Sequence, residues 1–113
     1  MQNNREVGSK YEDTAARYLE ELDYIILERN FRCKCGEIDI IAKDCNYVVF
    51  IEVKYRKNLK YGYPREAVNY YKMNKIRQTS LYYIKRFIGH IVPIRYDVIE
   101  ILNENITHIK GAF

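Results

Sequence analysis

Between Arg5 and Leu22 the apolar positions Val7, Tyr11, Ala15, Tyr18, Leu19 and Leu22 recur at steps of three and four with no proline among them, which predicts an amphipathic helix. Tyr24 to Phe31 is rich in strand formers, and Gly36 to Lys43 forms a second such run after a polar turn that carries cysteines. Tyr47 to Lys54 is almost continuously apolar, the pattern of a central strand covered on both faces. Pro64 suits the first turn of a second helix, predicted to run to about Ile88 and to be closed by Gly89. Val92 to Leu102 alternates from Ile94 onward, and Ile106 to Ile109 predicts a short last strand. The predicted order is α-β-β-β-α-β-β: one α/β domain, residues 1–113, with a central mixed sheet flanked by helices.

With 113 residues the chain has room for one modest core. No apolar run reaches bilayer length, and no signal-peptide stretch or lipid anchor is visible, so a cytoplasmic protein without membrane contact is expected. Cys33, Cys35 and Cys45 cannot all pair, and a Cys-x-Cys far in sequence from His90 and His108 makes a poor zinc site. Free thiols are the expectation. The net charge of +4 conceals an asymmetry: residues 1–53 sum to −4, residues 54–95 to +10, and residues 96–113 to −2. A basic segment interleaved with seven tyrosines, with Tyr96 directly after it as an eighth, fits either solvated helix faces or a phosphate-binding surface beside an acidic region.

Two acids interrupt apolar strands, Asp39 between Ile38 and Ile40 and Glu52 between Ile51 and Val53. A carboxylate there needs a salt bridge, a solvent-facing edge or a metal ion. Alternation puts Glu52 and Lys54 on one face. A two-residue hairpin loop at Cys45-Asn46 would place Asp39 opposite Glu52 on that same face, whereas a three-residue loop without a bulge would separate them. Carboxylate oxygens suit Mg²⁺ or Mn²⁺, and the Val53 carbonyl is a further candidate ligand. Glu12 borders the apolar stripe of the first helix, as a third acid or as an exposed glutamate beside Lys10 and Arg17.

Several blocks then follow one order along nearly the whole chain: Gly8-x-x-x-Glu12-Asp13-x-Ala15-Ala16-x-Tyr18-Leu19, Arg29-Asn30-Phe31-Arg32, Gly36-Glu37-Ile38-Asp39-Ile40-Ile41-Ala42 and Phe50-Ile51-Glu52-Val53-Lys54-Tyr55-Arg56. Gly62-x-Pro64-x-Glu66-Ala67-Val68, Lys72 and Arg95-Tyr96-Asp97-Val98 complete the set. The chain thereby resembles the bacterial YraN-like family, small proteins regarded as predicted endonucleases of the PD-(D/E)XK superfamily and similar to Holliday-junction resolvases. The resemblance implies a restriction-endonuclease-like core in which Asp39, Glu52 and Lys54 match the superfamily signature and Glu12 matches the acid of its first helix. Ile38 stands where the motif's proline would be, and Tyr11 and Cys45 where the family often has glycine. Glu37 is a family feature that either binds metal or pairs with a basic residue.

The expected activity is metal-assisted hydrolysis of phosphodiester bonds in DNA, including branched or recombination intermediates. Asp39 and Glu52 would hold Mg²⁺ or Mn²⁺, Lys54 would orient or deprotonate water, and Glu12 would fix a second ion or its waters. Arg56, Arg65, Lys72, Lys75 and Arg77 would hold flanking phosphates, Lys72 foremost because the family motif includes it. Cleavage of branched DNA in the resolvase manner would need a symmetric homodimer. A non-catalytic nucleic-acid-binding module on the same scaffold and a protein-interaction domain are the alternatives.

Overall fold

A computed structural model of the chain describes residues 4–56 and 69–113, with the side chains of the first helix described from Gly8 onward. Expectations placed on Pro64 and Arg65 lie outside the described residues. Helix α1 spans Asn4–Glu21 and strand β1 spans Ile25–Cys33. Strands β2 (Gly36–Asp44) and β3 (Tyr47–Arg56) follow, then helix α2 (Tyr70–Tyr83), β4 (Ile94–Leu102) and β5 (Asn105–Ile109).

The strands form one mixed sheet in the order β1-β2-β3-β4-β5, antiparallel throughout except for the parallel pair β3 and β4. Central β3 is covered on both sides, as its apolar run predicts. Ala15, Ala16 and Leu19 of α1 pack over Ile40, Ala42, Val49, Ile51, Ile99 and Ile101 on one face. Ile76 and Tyr83 of α2 pack over Ile38, Ile41, Val48 and Phe50 on the other. These two layers against the sheet make a single α/β domain. Among the described residues no helix is long and apolar enough to cross a membrane.

The second helix departs from expectation at its start. Asn69 is extended (φ −98°, ψ 175°) and its side chain accepts a hydrogen bond from the Lys72 amide, so α2 begins at Tyr70 rather than running through from Pro64. Asparagine competes poorly inside helices but caps them well. At the far end Ile84–Ile88 continue as a π-helical turn, and Gly89 closes it as predicted, at φ 78° with its amide donating to the Ile84 carbonyl. Gly36 opens β2 at φ 152°, where an added Cβ would stand 3.1 Å from Thr79 Oγ1, so the β1–β2 turn approaches α2 at a distance a side chain would obstruct.

Candidate functional site

The register that brings the site together is set at the β2–β3 turn. Asp44 pairs with Tyr47, and the ladder runs back to Ile40 opposite Ile51, the pairing that a two-residue Cys45-Asn46 loop produces. Cys45 takes φ 55° to close that turn. Beyond Ile40 and Ile51 the pairing stops, and Asp39 Oδ2 accepts a hydrogen bond from the Val53 amide at 2.8 Å. A carboxylate therefore takes the N–H that a continued ladder would give to a backbone carbonyl. A strand residue presents its N–H and C=O to the same neighbour, so the Val53 carbonyl faces the same parting of the strands.

How Asp39 comes to aim there is visible in the core. Ile40 and Ala42 pack on the α1 side and Ile41 on the α2 side, but Ile38 joins Ile41 on the α2 side, so alternation slips by one at Asp39. The neighbouring strand slips with it: Arg29, partner of Ile40, reaches Asp13 of α1 at 2.6 Å, whereas Phe31, partner of Ile38, packs toward α2. Asn30 between them adopts φ 53°, a left-handed conformation that asparagine tolerates better than most residues. An asparagine inside a strand-like run was the sequence signal for this slip, and periodicity alone does not read it.

Glu52 is buried at 7% exposure. Its Oε1 is held by Lys72 Nζ at 2.9 Å and by Lys54 Nζ at 3.4 Å. Burial, followed by the adjacent Glu52 carboxylate, pushes Asp39 up to about 7, with the Val53 amide and Lys72 opposing. Burial also raises Glu12, which is half-buried; the Asn30 side chain and Arg29 pull it down while Glu37 and Glu52 push it up. Lys54 is lowered by burial and by Lys72, against the pull of Glu52. Lys72 goes the other way: burial works against its charge, but Glu52 and Lys54 outweigh that and raise it. Glu12, Asp39, Glu52, Lys54 and Lys72 thus form one electrostatically linked group where β2 and β3 part. Among the described residues, no three histidine, cysteine or acidic side chains close on a common point as a ready metal cluster. The oxygen donors nearest this parting are the carboxylates of Asp39 and Glu52, close enough for the second to raise the first, and the Val53 carbonyl on the same side of β3 as its amide. That hard set fits a magnesium-like ion, which keeps several waters. The lysines hold the Glu52 oxygen that such an ion would also take.

The other predicted residues divide. Glu37 pairs with Arg32 at 3.1 Å, both exposed. Lys75 lies over the Tyr71 ring at 5.6 Å on the exposed N-terminal half of α2. Arg77 is directed elsewhere, its guanidinium 5.9 Å from the Tyr96 ring centroid and 5.4 Å from that of Phe113. Arg56 ends β3, its carbonyl accepting from the Asn103 amide. Arg65 lies outside the described residues. The three cysteines are free.

Two buried acids were missed from sequence. Glu100 is the β4 register partner of Lys54 and is 5% exposed. Asp97 is fully buried on the α1 face, where Arg95 grips both its oxygens (2.9 and 3.0 Å) and His108 Nε2 lies at 2.7 Å. Arg95 also donates to Asp44 and to the Tyr24 hydroxyl, and the Gly111 amide donates to Asp97. This network ties β2, β4, β5 and the C-terminal segment together, and its buried location marks it as structural. Its signal was the alternation of Arg95-Tyr96-Asp97-Val98, which puts the base and the acid on one face.

Fold and site define the class first: a small α/β protein with one mixed sheet between two helices and an acid and lysine group at its centre. The chain belongs to the family described as "Uncharacterised protein family UPF0102", whose model matches residues 11–101. It is 53% identical over 117 residues to a UPF0102 protein of Clostridium botulinum (strain 657 / Type Ba4), covering 97% of this chain and 95% of the relative. A UPF0102 protein of Caldicellulosiruptor saccharolyticus is 44% identical over 117 residues, covering 98% and 99% respectively. This is the YraN-like family that the sequence blocks resemble.

Proposed function

We infer that the chain is a metal-dependent endonuclease acting on DNA, with a restriction-endonuclease-like core. The observation that carries this reading is Asp39 turned out of strand alternation, against the Val53 amide and beside Glu52, with Lys54 next on the same face as Glu52. A purely structural acid is placed more cheaply at a sheet edge or against an arginine, as Asp97 is. Asp39, Glu52 and the Val53 carbonyl would hold Mg²⁺ or Mn²⁺, with Glu12 fixing waters or a second ion. The cation, when bound, polarises the scissile phosphate and supplies water of lowered pKa. Lys54, whose ammonium burial makes easier to deprotonate, orients the attacking water and takes its proton. Lys72 holds Glu52 in place and, with Lys75, offers positive charge to flanking phosphates. Cleavage of both strands at a branch point would take two copies of the chain.

One observation favours a second reading. The Glu52 carboxylate is already matched by two lysines, as expected of a DNA-binding module whose acids are structural. Incubation with branched, flapped and single-stranded DNA separates the two. Nicking that requires Mg²⁺ or Mn²⁺ and disappears in Glu52→Ala supports the enzyme. Binding without cleavage under either metal supports the module.

A further inference from the structure

The rings of Tyr11 and Tyr55 lie nearly parallel, centroids 3.7 Å apart and planes inclined by 17°. They border a groove of about 530 Å³ whose other lining comes from the β4–β5 turn, Asn103, Glu104 and Asn105. Hydrolysis as described above uses none of these five side chains. The groove lies on the α1 side of the sheet: Tyr11 precedes Glu12 on α1, and Tyr55, one residue after Lys54, projects to the opposite face of β3 from Glu52 and Lys54. Tyr55 is three strand residues beyond Glu52, about 10 Å along β3.

The lining is chemically selective. An aromatic pair suits a flat ring, while the Glu104 carboxylate repels phosphate, so the groove suits a base and not the backbone. A carboxylate flanked by two amides accepts N–H donors. Guanine offers the most suitable edge, with N1–H beside the N2 amino group. In a duplex those donors are occupied by pairing, so only an unpaired base can present them.

Resting on the endonuclease reading, we propose that this groove is a subsite for one unpaired nucleobase of the DNA substrate, guanine preferred, with Tyr11 and Tyr55 as its aromatic wall and Glu104, Asn103 and Asn105 reading the base edge. The substrate class is then DNA carrying an unpaired nucleotide. The test measures Kd by fluorescence anisotropy, in EDTA, for labelled duplexes with a single unpaired G, A, C or T and for a fully paired control. The unpaired-G duplex should bind about tenfold more tightly than the paired one. Tyr55→Ala should lose that gain, Tyr55→Phe should keep it, and Glu104→Gln, at an exposed turn, should level the four bases while paired-duplex affinity stays unchanged. Equal affinity for paired and unpaired DNA, or a base ranking untouched by Glu104→Gln, overturns the proposal. Base preference without metal-dependent nicking would remove the endonuclease reading and leave the subsite; nicking without base preference would do the reverse.

Discussion

Asp39 and Asp97 are both strand acids disfavoured by burial, and their surroundings resolve that cost in opposite ways. Asp97 is pushed up by burial, but hydrogen bonds from His108, Arg95 and the Gly111 amide outweigh this and hold it below its usual range. A depressed carboxylate stabilises the fold above its unfolded pKa and ceases to do so as pH falls through its folded value. The Asp97 contribution is therefore complete above about pH 4 and disappears below it. Acid unfolding monitored by circular dichroism should show this, and Asp97→Asn should cost about 3–5 kcal/mol at pH 7, because Arg95 and His108 lose a buried partner. Asp39 has an amide partner and acidic neighbours instead. Asp39→Asn keeps an acceptor for the Val53 N–H and removes a crowded charge, so at pH 8 it should melt no lower than the parent while losing all nicking. A melting point several degrees lower would make Asp39 a structural residue.

At the scale of elements, the parts legible in the sequence were those that periodicity and turn chemistry control. The first helix's apolar face, the five strands, the Cys45-Asn46 loop and the closing Gly89 follow from them, and the loop length fixed the β2–β3 register as far as Ile40 opposite Ile51, the pair next to Asp39 and Glu52. What stayed hidden depends on contacts distant in sequence. The slip at Asn30 and Asp39 is one case, and the lysines converging on Glu52 from a strand and a helix are another. The start of α2 was obscured because Asn69 sits inside a stretch with no proline or glycine after Pro64. Its cap yields a direct prediction. Asn69→Ala should lower stability by about 1 kcal/mol in urea titration, and Asn69→Asp should not, since the first turn of α2 carries no acid to repel it. Equal losses from both would remove the cap from the account.

For the molecule as a whole, charge is distributed along the chain so that most basic residues follow the acidic site strands: residues 54–95 carry +10 against −4 before them. DNA affinity should therefore fall steeply with salt, with log Kd against log [salt] changing by about one slope unit for each phosphate contact removed. Lys75→Ala should reduce that slope by about one. Arg77→Ala should leave it unchanged and lower stability instead, because its guanidinium covers the Tyr96 and Phe113 rings. The reverse pattern in a salt titration would mean that the phosphate path crosses the C-terminal half of α2. The central claim is that Asp39 and Glu52 together hold one divalent cation, and a crystal structure soaked in Mn²⁺ tests it most directly. Anomalous density bound by both carboxylates, with Lys72 drawn away from Glu52, is the predicted result; a lysine pair still closed on Glu52, with no manganese beside Asp39, would contradict it.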